Sequence, residues 1–295
     1  MLATLVAKPF HEPGWVYEEK YDGYRLLAYK EGSSVTLLSR NGNDRTASFG
    51  AIAAAIKQLR ARTLLLDGEG VAFDRTGLSR FQLLQQGRDT KLAVFDCLYL
   101  NGRDLRREPL STRRDLMEQA IAGVDGLIPS RRLADDGLAA FEQARGLGFE
   151  GLVGKDESAP YSEGRSRKWL KVKVHQEEEF VIGGYTAPAG SRKFIGALLL
   201  GAYQDKKLHY VGKVGTGFTQ QTLKSLHDLI QKQVRQRPPF IDPPRERDVA
   251  WLAPKFVAQI AFQEWTADLK LRQPVFLGLR DDKKPEECIL PEMVR

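Results

Sequence analysis

The sequence has 295 residues, 42% of them hydrophobic and 28% charged, a mix that excludes wholesale disorder. At ~150 residues per domain, this length suits about two domains, each with its own core. Lys and Arg number 45 against 38 Asp and Glu, a net charge of +7, so the chain leans basic as a polyanion binder does, without the charge alone deciding it.

Trp15 to Tyr17 reads as a strand leading to Lys20, Asp22-Gly23 as a turn, and Leu26 to Tyr29 as a second extended run. Val35 to Ser39 follows, then a polar corner at 40–44. The spacing of Ile52, Ile56 and Leu59 predicts a helix over 49–59 with Ser48 as its N-cap. Thr63 to Phe73 reads as a buried strand interrupted at Asp67-Gly68-Glu69, 79–86 as a short helix and 92–100 as a strand. Ser111 to Ala122 and Asp136 to Arg145 read as helices, the second stopped by Gly146. Beyond Lys173 the pattern changes to short strands at Phe180 to Tyr185, Ala197 to Tyr203, Leu208 to Lys213 and Val257 to Glu264. One helix, 219–233, lies among them, and 237–254 reads as a long loop rich in Pro and charge. That second pattern is compatible with a small closed barrel, including the OB type. The boundary falls near 174–178, beside Glu177-Glu178-Glu179.

Several chemistries are excluded. Cys97 and Cys288 cannot form a disulfide framework or a CxxC metal site, and their apolar neighbours mark them as core residues. His11, His175, His209 and His227 are scattered, without zinc-site spacing. No P-loop motif is present, and Gly212 to Gly217 reads as a turn into the following helix, since no βαβ unit surrounds it. The longest strongly apolar uncharged stretch, Phe194 to Tyr203, has about ten residues where a helical span needs roughly 20. The start of the chain lacks a basic n-region and a cleavage site, so a cytoplasmic protein is expected.

The informative stretch is Glu18 to Arg25. Lys20 follows an apolar strand and precedes the Asp22-Gly23 turn, a position that would hold its amine at a strand end facing a cleft. A lysine nucleophile needs a free amine against an ordinary pKa of ~10.4, and cationic neighbours with partial burial would lower it. Asp67, Glu69, Asp96 and Glu150 place carboxylates in apolar strands, which is costly unless they are paired or bound to a cation. Mg²⁺ commonly takes one or two carboxylates with substrate phosphate. Arg165, Arg167, Lys168, Lys171 and Lys173 form a basic segment around Trp169, and the alternation 171–173 points both lysines to one face of a strand.

In order, KYDGYR (20–25), SRNG (39–42), LDGEGV (66–71), FDCLYL (95–100), EGLVGK (150–155) and WLKVK (169–173) resemble the nucleotidyltransferase motifs of ATP-dependent DNA ligases, most of all the ligase module of bacterial end-joining ligases. Arg280-Asp281-Asp282-Lys283 is similar to that family's closing R-x-D-K motif. The resemblance implies an α+β chain, with an adenylation domain of antiparallel sheets and flanking helices over 1–174 and an OB barrel over 175–295. It implies that Lys20, with Asp22, Lys171 and Lys173 in the catalytic set, carries AMP from ATP to a DNA 5′-phosphate before a 3′-hydroxyl seals the break. By the same resemblance, the backbone near Glu18 reads the adenine edge, Phe95 and Val153 cover its faces, and Arg25 and Glu69 contact the ribose. Arg40 contacts the nucleotide or the DNA 5′-phosphate, Arg165, Lys171 and Lys173 grip phosphate, and Glu150 with Glu69 holds Mg²⁺ or Mn²⁺. Arg280 and Lys283 meet the leaving pyrophosphate after a swing of the OB domain about 174–178.

Nicked or broken duplex DNA and a Ku-like end-binding protein are the implied partners of a monomer associated with a bacterial nucleoid. The family's polymerase and phosphoesterase modules and an N-terminal helical DNA-binding domain are not in the sequence, which suits a minimal ligase or an excised module. An RNA ligase or mRNA-capping guanylyltransferase of the same superfamily is the nearest rival, and a non-catalytic OB-type nucleic-acid binder a remote one.

Overall fold

A computed structural model describes residues 1–85, 89–174, 176–188 and 193–291; residue 86 of the expected short helix and His175 lie outside this set. The chain divides into two compact units, Met1–Val174 and His175–Arg295. Among the described residues no helix is long and apolar enough to cross a membrane.

The first unit runs β1 (Leu2–Leu5), β2 (Trp15–Glu19), β3 (Tyr24–Glu31), β4 (Ser34–Ser39), α1 (Gly50–Lys57), β5 (Thr63–Val71), α2 (Phe81–Gln85), β6 (Lys91–Leu100), β7 (Arg103–Asp104), α3 (Leu110–Ile121), β8 (Leu127–Pro129), α4 (Gly137–Leu147), β9 (Gly151–Asp156) and β10 (Arg165–Lys173). It holds two sheets, one ordered β1-β10-β9-β2 and the other β4-β3-β5-β6-β7 with β8 added beside β6. Leu26, Leu37, Ile52, Ile56, Leu66 and Met117 are among the side chains that close α1 and α3 over the larger sheet. Tyr17, Ala140, Ala144, Leu152 and Val172 close α4 over the smaller one.

Three local expectations are corrected here. The N-cap of α1 is Phe49, without a side-chain bond, rather than Ser48. Phe49 N–H donates to Arg45 O at 3.0 Å, so the preceding turn already serves a donor that a cap would otherwise satisfy. Helix α4 does begin at Asp136, whose carboxylate accepts from the N–H groups of Leu138 and Ala139. It runs through Gly146, however, and ends at Gly148, whose φ of 76° is the left-handed value that terminates a helix. Strand β5 is not interrupted at Asp67-Gly68-Glu69: the three residues stay in the ladder with β3, and Arg25 neutralises the buried Asp67 carboxylate.

The second unit comprises β11 (Gln176–Thr186), β12 (Leu198–Gln204), β13 (Lys207–Val214), α5 (Gln220–Ile230), β14 (Val234–Arg235), β15 (Val249–Phe262) and β16 (Val275–Arg280). Its strands are ordered β13-β12-β11-β15-β14, with β16 also on β15. The stretch expected as a loop over 237–254 already contains the first residues of β15: Val249 to Trp251 pair with Thr186 to Gly184, so ladder bonding overrides the polar composition around Arg245 to Asp248. Strand β16 was not foreseen. The sheet curls back on itself, since Phe276 N–H donates to Thr216 O at 3.0 Å and Leu271 N–H to Val211 O at 2.8 Å. Leu223, Leu226 and Ile230 of α5 pack against this core. The chain is α+β, with a second unit of the OB type.

Candidate active site

The strand order β10-β9-β2 sets Lys173, Glu150 and Lys20 side by side at one end of the smaller sheet. Lys20 N–H donates to Gly151 O at 3.0 Å, Lys173 is opposite Gly151 in the β9–β10 register, and Val174 N–H donates to Glu150 O at 2.9 Å. Only glycine fits at 151, because a Cβ there would lie 2.0 Å from Val172 O. The Lys20 Nζ pairs with Glu150 Oε2, the two side chains being 18% and 8% exposed.

Burial opposes the charge on Lys20, but Glu150 above all, then Asp22 and Glu69, outweighs it and raises the amine above the ordinary lysine value. This corrects the expectation that cationic neighbours would free the amine: the groups closest to it are carboxylates, and they hold it as an ammonium. Burial likewise opposes the Glu150 carboxylate, yet Lys20, Lys173 and Lys171 bring its pKa below the ordinary carboxylate range. Lys171 and Lys173 therefore act on the same carboxylate as Lys20. Asp22 also anchors α2, accepting the Phe81 N–H at 3.0 Å while its own N–H donates to Ser79 Oγ.

Deeper along β2, Glu18 is fully buried between Lys155 Nζ at 2.7 Å and the Arg114 guanidinium. Arg114 also donates to Ser130 O at 3.0 Å and Glu118 at 3.1 Å. Its neighbour Arg113, with no exposed surface, bonds both oxygens of Asp96 at 2.7 and 2.8 Å. Val153 is opposite Glu18 across β2–β9. Phe95 lies under the Lys155 ammonium, 4.4 Å from the ring centre, with the Arg25 guanidinium at 5.6 Å and Trp169 edge-on at 5.7 Å. Arg25 is opposite Glu69 in register and chelates Asp67 at 2.9 and 2.6 Å; the Tyr161 hydroxyl donates to the same carboxylate at 2.9 Å.

The remaining candidates lie on other elements. Arg40 is exposed and, with Arg25, Tyr29, Arg107 and Tyr161, lines a cleft of about 920 Å³. Arg165 begins β10, at the opposite end from Lys171 and Lys173, and donates to Ala3 O at 2.8 Å. In the second unit Arg280 chelates Asp282 at 2.8 Å, and Lys283 is 3.4 Å from Glu179.

Sequence reasoning missed Arg113, Arg114 and Tyr161, noticed Lys155 only as part of a motif, and marked Asp67 as a carboxylate needing a partner without naming Arg25 as that partner. For the two arginines a signal existed: Leu110, Arg113, Arg114, Met117 and Ile121 form the buried stripe of α3, so cations at those positions demand buried acids opposite. Among the described residues no cluster of three or more His, Cys, Asp or Glu exists. A divalent cation sharing its coordination with phosphate and water needs only one or two carboxylates, and the Glu150 carboxylate beside Lys20 suits that demand.

Residues 1–173 match the family described as ATP dependent DNA ligase domain, and 191–283 match ATP dependent DNA ligase C terminal region. The multifunctional non-homologous end joining protein LigD of Pseudomonas aeruginosa is 38% identical over 300 residues, covering 97% of this chain and 36% of that protein. That of Mycolicibacterium smegmatis is 38% identical over 299 residues, covering 98% of this chain and 39% of that protein. The chain thus spans little more than a third of the length of these relatives. Among solved structures, a mycobacterial DNA ligase D complexed with ATP and MES superposes with a TM-score of 0.74 at 33% identity, covering 98% of both chains. By these matches over both of its units, the chain belongs to the ATP-dependent DNA ligase family.

Proposed function

We propose that this chain seals 5′-phosphate/3′-hydroxyl breaks in duplex DNA through a lysine–AMP intermediate on Lys20. The observation that carries the reading is the Lys20–Glu150 pair at the sheet end where Lys171 and Lys173 act on the same carboxylate. The Lys20 amine, after losing its proton, attacks the α-phosphorus of ATP; the N–P bond forms as the bond to pyrophosphate breaks. A DNA 5′-phosphate oxygen then takes the AMP, freeing Lys20, and the 3′-hydroxyl closes the phosphodiester and expels AMP. Such in-line transfers depend chiefly on positioning and on neutralising charge, which Lys171 and Lys173 supply beside the nucleophile.

Phe95 and Val153 bracket the adenine, the β2 backbone at Glu18 reads its edge, and Arg25 and Glu69 take the ribose. Arg40 meets the DNA 5′-phosphate, Arg165 a phosphate further along, and Arg280 with Lys283 the leaving pyrophosphate. Glu150 with Glu69 would hold Mg²⁺ or Mn²⁺, which when bound neutralises phosphate charge. The LigD relatives are named for end joining, so break repair at the bacterial nucleoid beside a Ku-like end-binding protein is the setting we propose.

Incubation with α-labelled ATP, GTP or NAD and Mg²⁺ tests the reading. ATP alone should label the protein, intact mass should show one added adenylate, and Lys20→Ala with a native circular dichroism spectrum should remain unlabelled. Labelling by GTP, no labelling, or label retained in Lys20→Ala overturns it.

A further inference from the structure

The cations of the closing motif are held from the side of β11. Arg280 donates from Nε and Nη2 to the two Asp282 oxygens, each at 2.8 Å, and from Nη1 to Gln259 Oε1 at 3.0 Å. Gln259, on β15, is 4% exposed, and its Nε2 donates onward to Glu177 Oε2 at 3.2 Å. A carboxylate only accepts and a guanidinium only donates, so one orientation of the Gln259 amide alone satisfies both neighbours. Alternate residues of a strand share a face, and Glu179, next on the Glu177 face, is the acid beside Lys283. The acidic run that marked the domain boundary in the sequence thus supports both cations of the motif.

We propose that Gln259 is a positioning residue for self-adenylation: oriented by Glu177, it fixes the plane in which Arg280 meets the pyrophosphate leaving group. The inference rests on the reading of Arg280 as a pyrophosphate contact. Asp282 holds one edge of the guanidinium and offsets part of its charge. A neutral amide on Nη1 adds direction without offsetting more of that charge, which a second carboxylate would do.

Pyrophosphate leaves only in the first step, so two rates separate positioning from structure: single-turnover adenylation by ATP, and sealing of a nick that already carries a 5′-adenylate. Gln259→Leu should slow adenylation roughly tenfold or more, the loss of one hydrogen bond to a charged group, and leave sealing of the adenylated nick unchanged. Gln259→Glu keeps an acceptor opposite Nη1 but offsets more of the guanidinium charge and sets a second carboxylate against Glu177, so it too should slow adenylation and leave sealing of the adenylated nick unchanged. Glu177→Ala, at a half-buried position, should slow adenylation less than Gln259→Leu, and it decides the matter should the leucine variant not fold. Wild-type adenylation in Gln259→Leu or Glu177→Ala while Arg280→Ala is slow, or equal loss in both steps, overturns the inference alone. Wild-type adenylation in Arg280→Ala overturns the underlying reading of the motif.

Discussion

Lys20 and Glu150 neutralise one another at the end of the smaller sheet, the backbone N–H of Lys20 reaching Gly151 O while its Nζ reaches the Glu150 carboxylate. Each charge is mostly withdrawn from solvent and has the other as its nearest partner. Removing either alone takes the nearest opposite charge from the other. With Lys171 and Lys173 still near Glu150, and Asp22 and Glu69 near Lys20, the cost should fall short of the roughly 3–5 kcal/mol of a fully unpaired buried charge. Urea unfolding of Lys20→Met, Glu150→Gln and the double variant should show each single loss exceeding that of the pair. Additive losses would mean that the two groups are not coupled.

Because Lys20 already balances Glu150, a divalent cation is not needed for the fold. Exhaustive chelation should abolish labelling by α-labelled ATP and leave the melting temperature unchanged, with Mg²⁺ restoring the label. A large drop in melting temperature on chelation would indicate a structural ion.

Glu19 gives the clearest dependence of stability on pH. Burial pushes its carboxyl up to about 7 from 4.5, with Arg131, whose guanidinium is 3.5 Å away, and Tyr21 only partly opposing. Between these values the folded protein keeps a proton that the unfolded chain has released, so this group lowers stability as pH rises through the window. Glu19→Gln should therefore melt higher than the wild type at pH 8 and no higher at pH 4.5. Identical differences at both pH values would show that Glu19 titrates normally.

Arg114 ties three elements together: α3, the Glu18 carboxylate of β2 and the Ser130 carbonyl. Arg114→Met keeps the bulk of the chain and removes the charge, leaving Glu18 with Lys155 as its remaining ion-pair partner. The expected loss is about 3 kcal/mol in unfolding free energy, and Arg114→Lys, lacking the fork, should recover only part of it. Denaturant titration of the three proteins measures both effects.

The motifs themselves were legible. Lys20 at the end of an apolar strand, Lys171 and Lys173 on one strand face, and carboxylates inside strands are local patterns that side-chain alternation and the cost of buried charge make readable from residue types. Helix ends were less so: Gly146 and Gly148 are the same residue type, and only the backbone angle decides which one ends α4.

From its sequence alone, the molecule is a basic, two-part α+β chain whose ordered motifs resemble those of DNA ligases and single out Lys20 as the nucleophile we propose. What the linear pattern could not decide is which charges meet. Lys20 was expected among cations, yet the strand order brings Glu150 to it and holds the amine protonated. Likewise α3 carries two adjacent arginines to different acids, Arg113 to Asp96 on β6 and Arg114 to Glu18 on β2. Partners so distant along the chain are chosen by sheet register and helix packing, and a buried charge takes its protonation state from the partner the fold supplies.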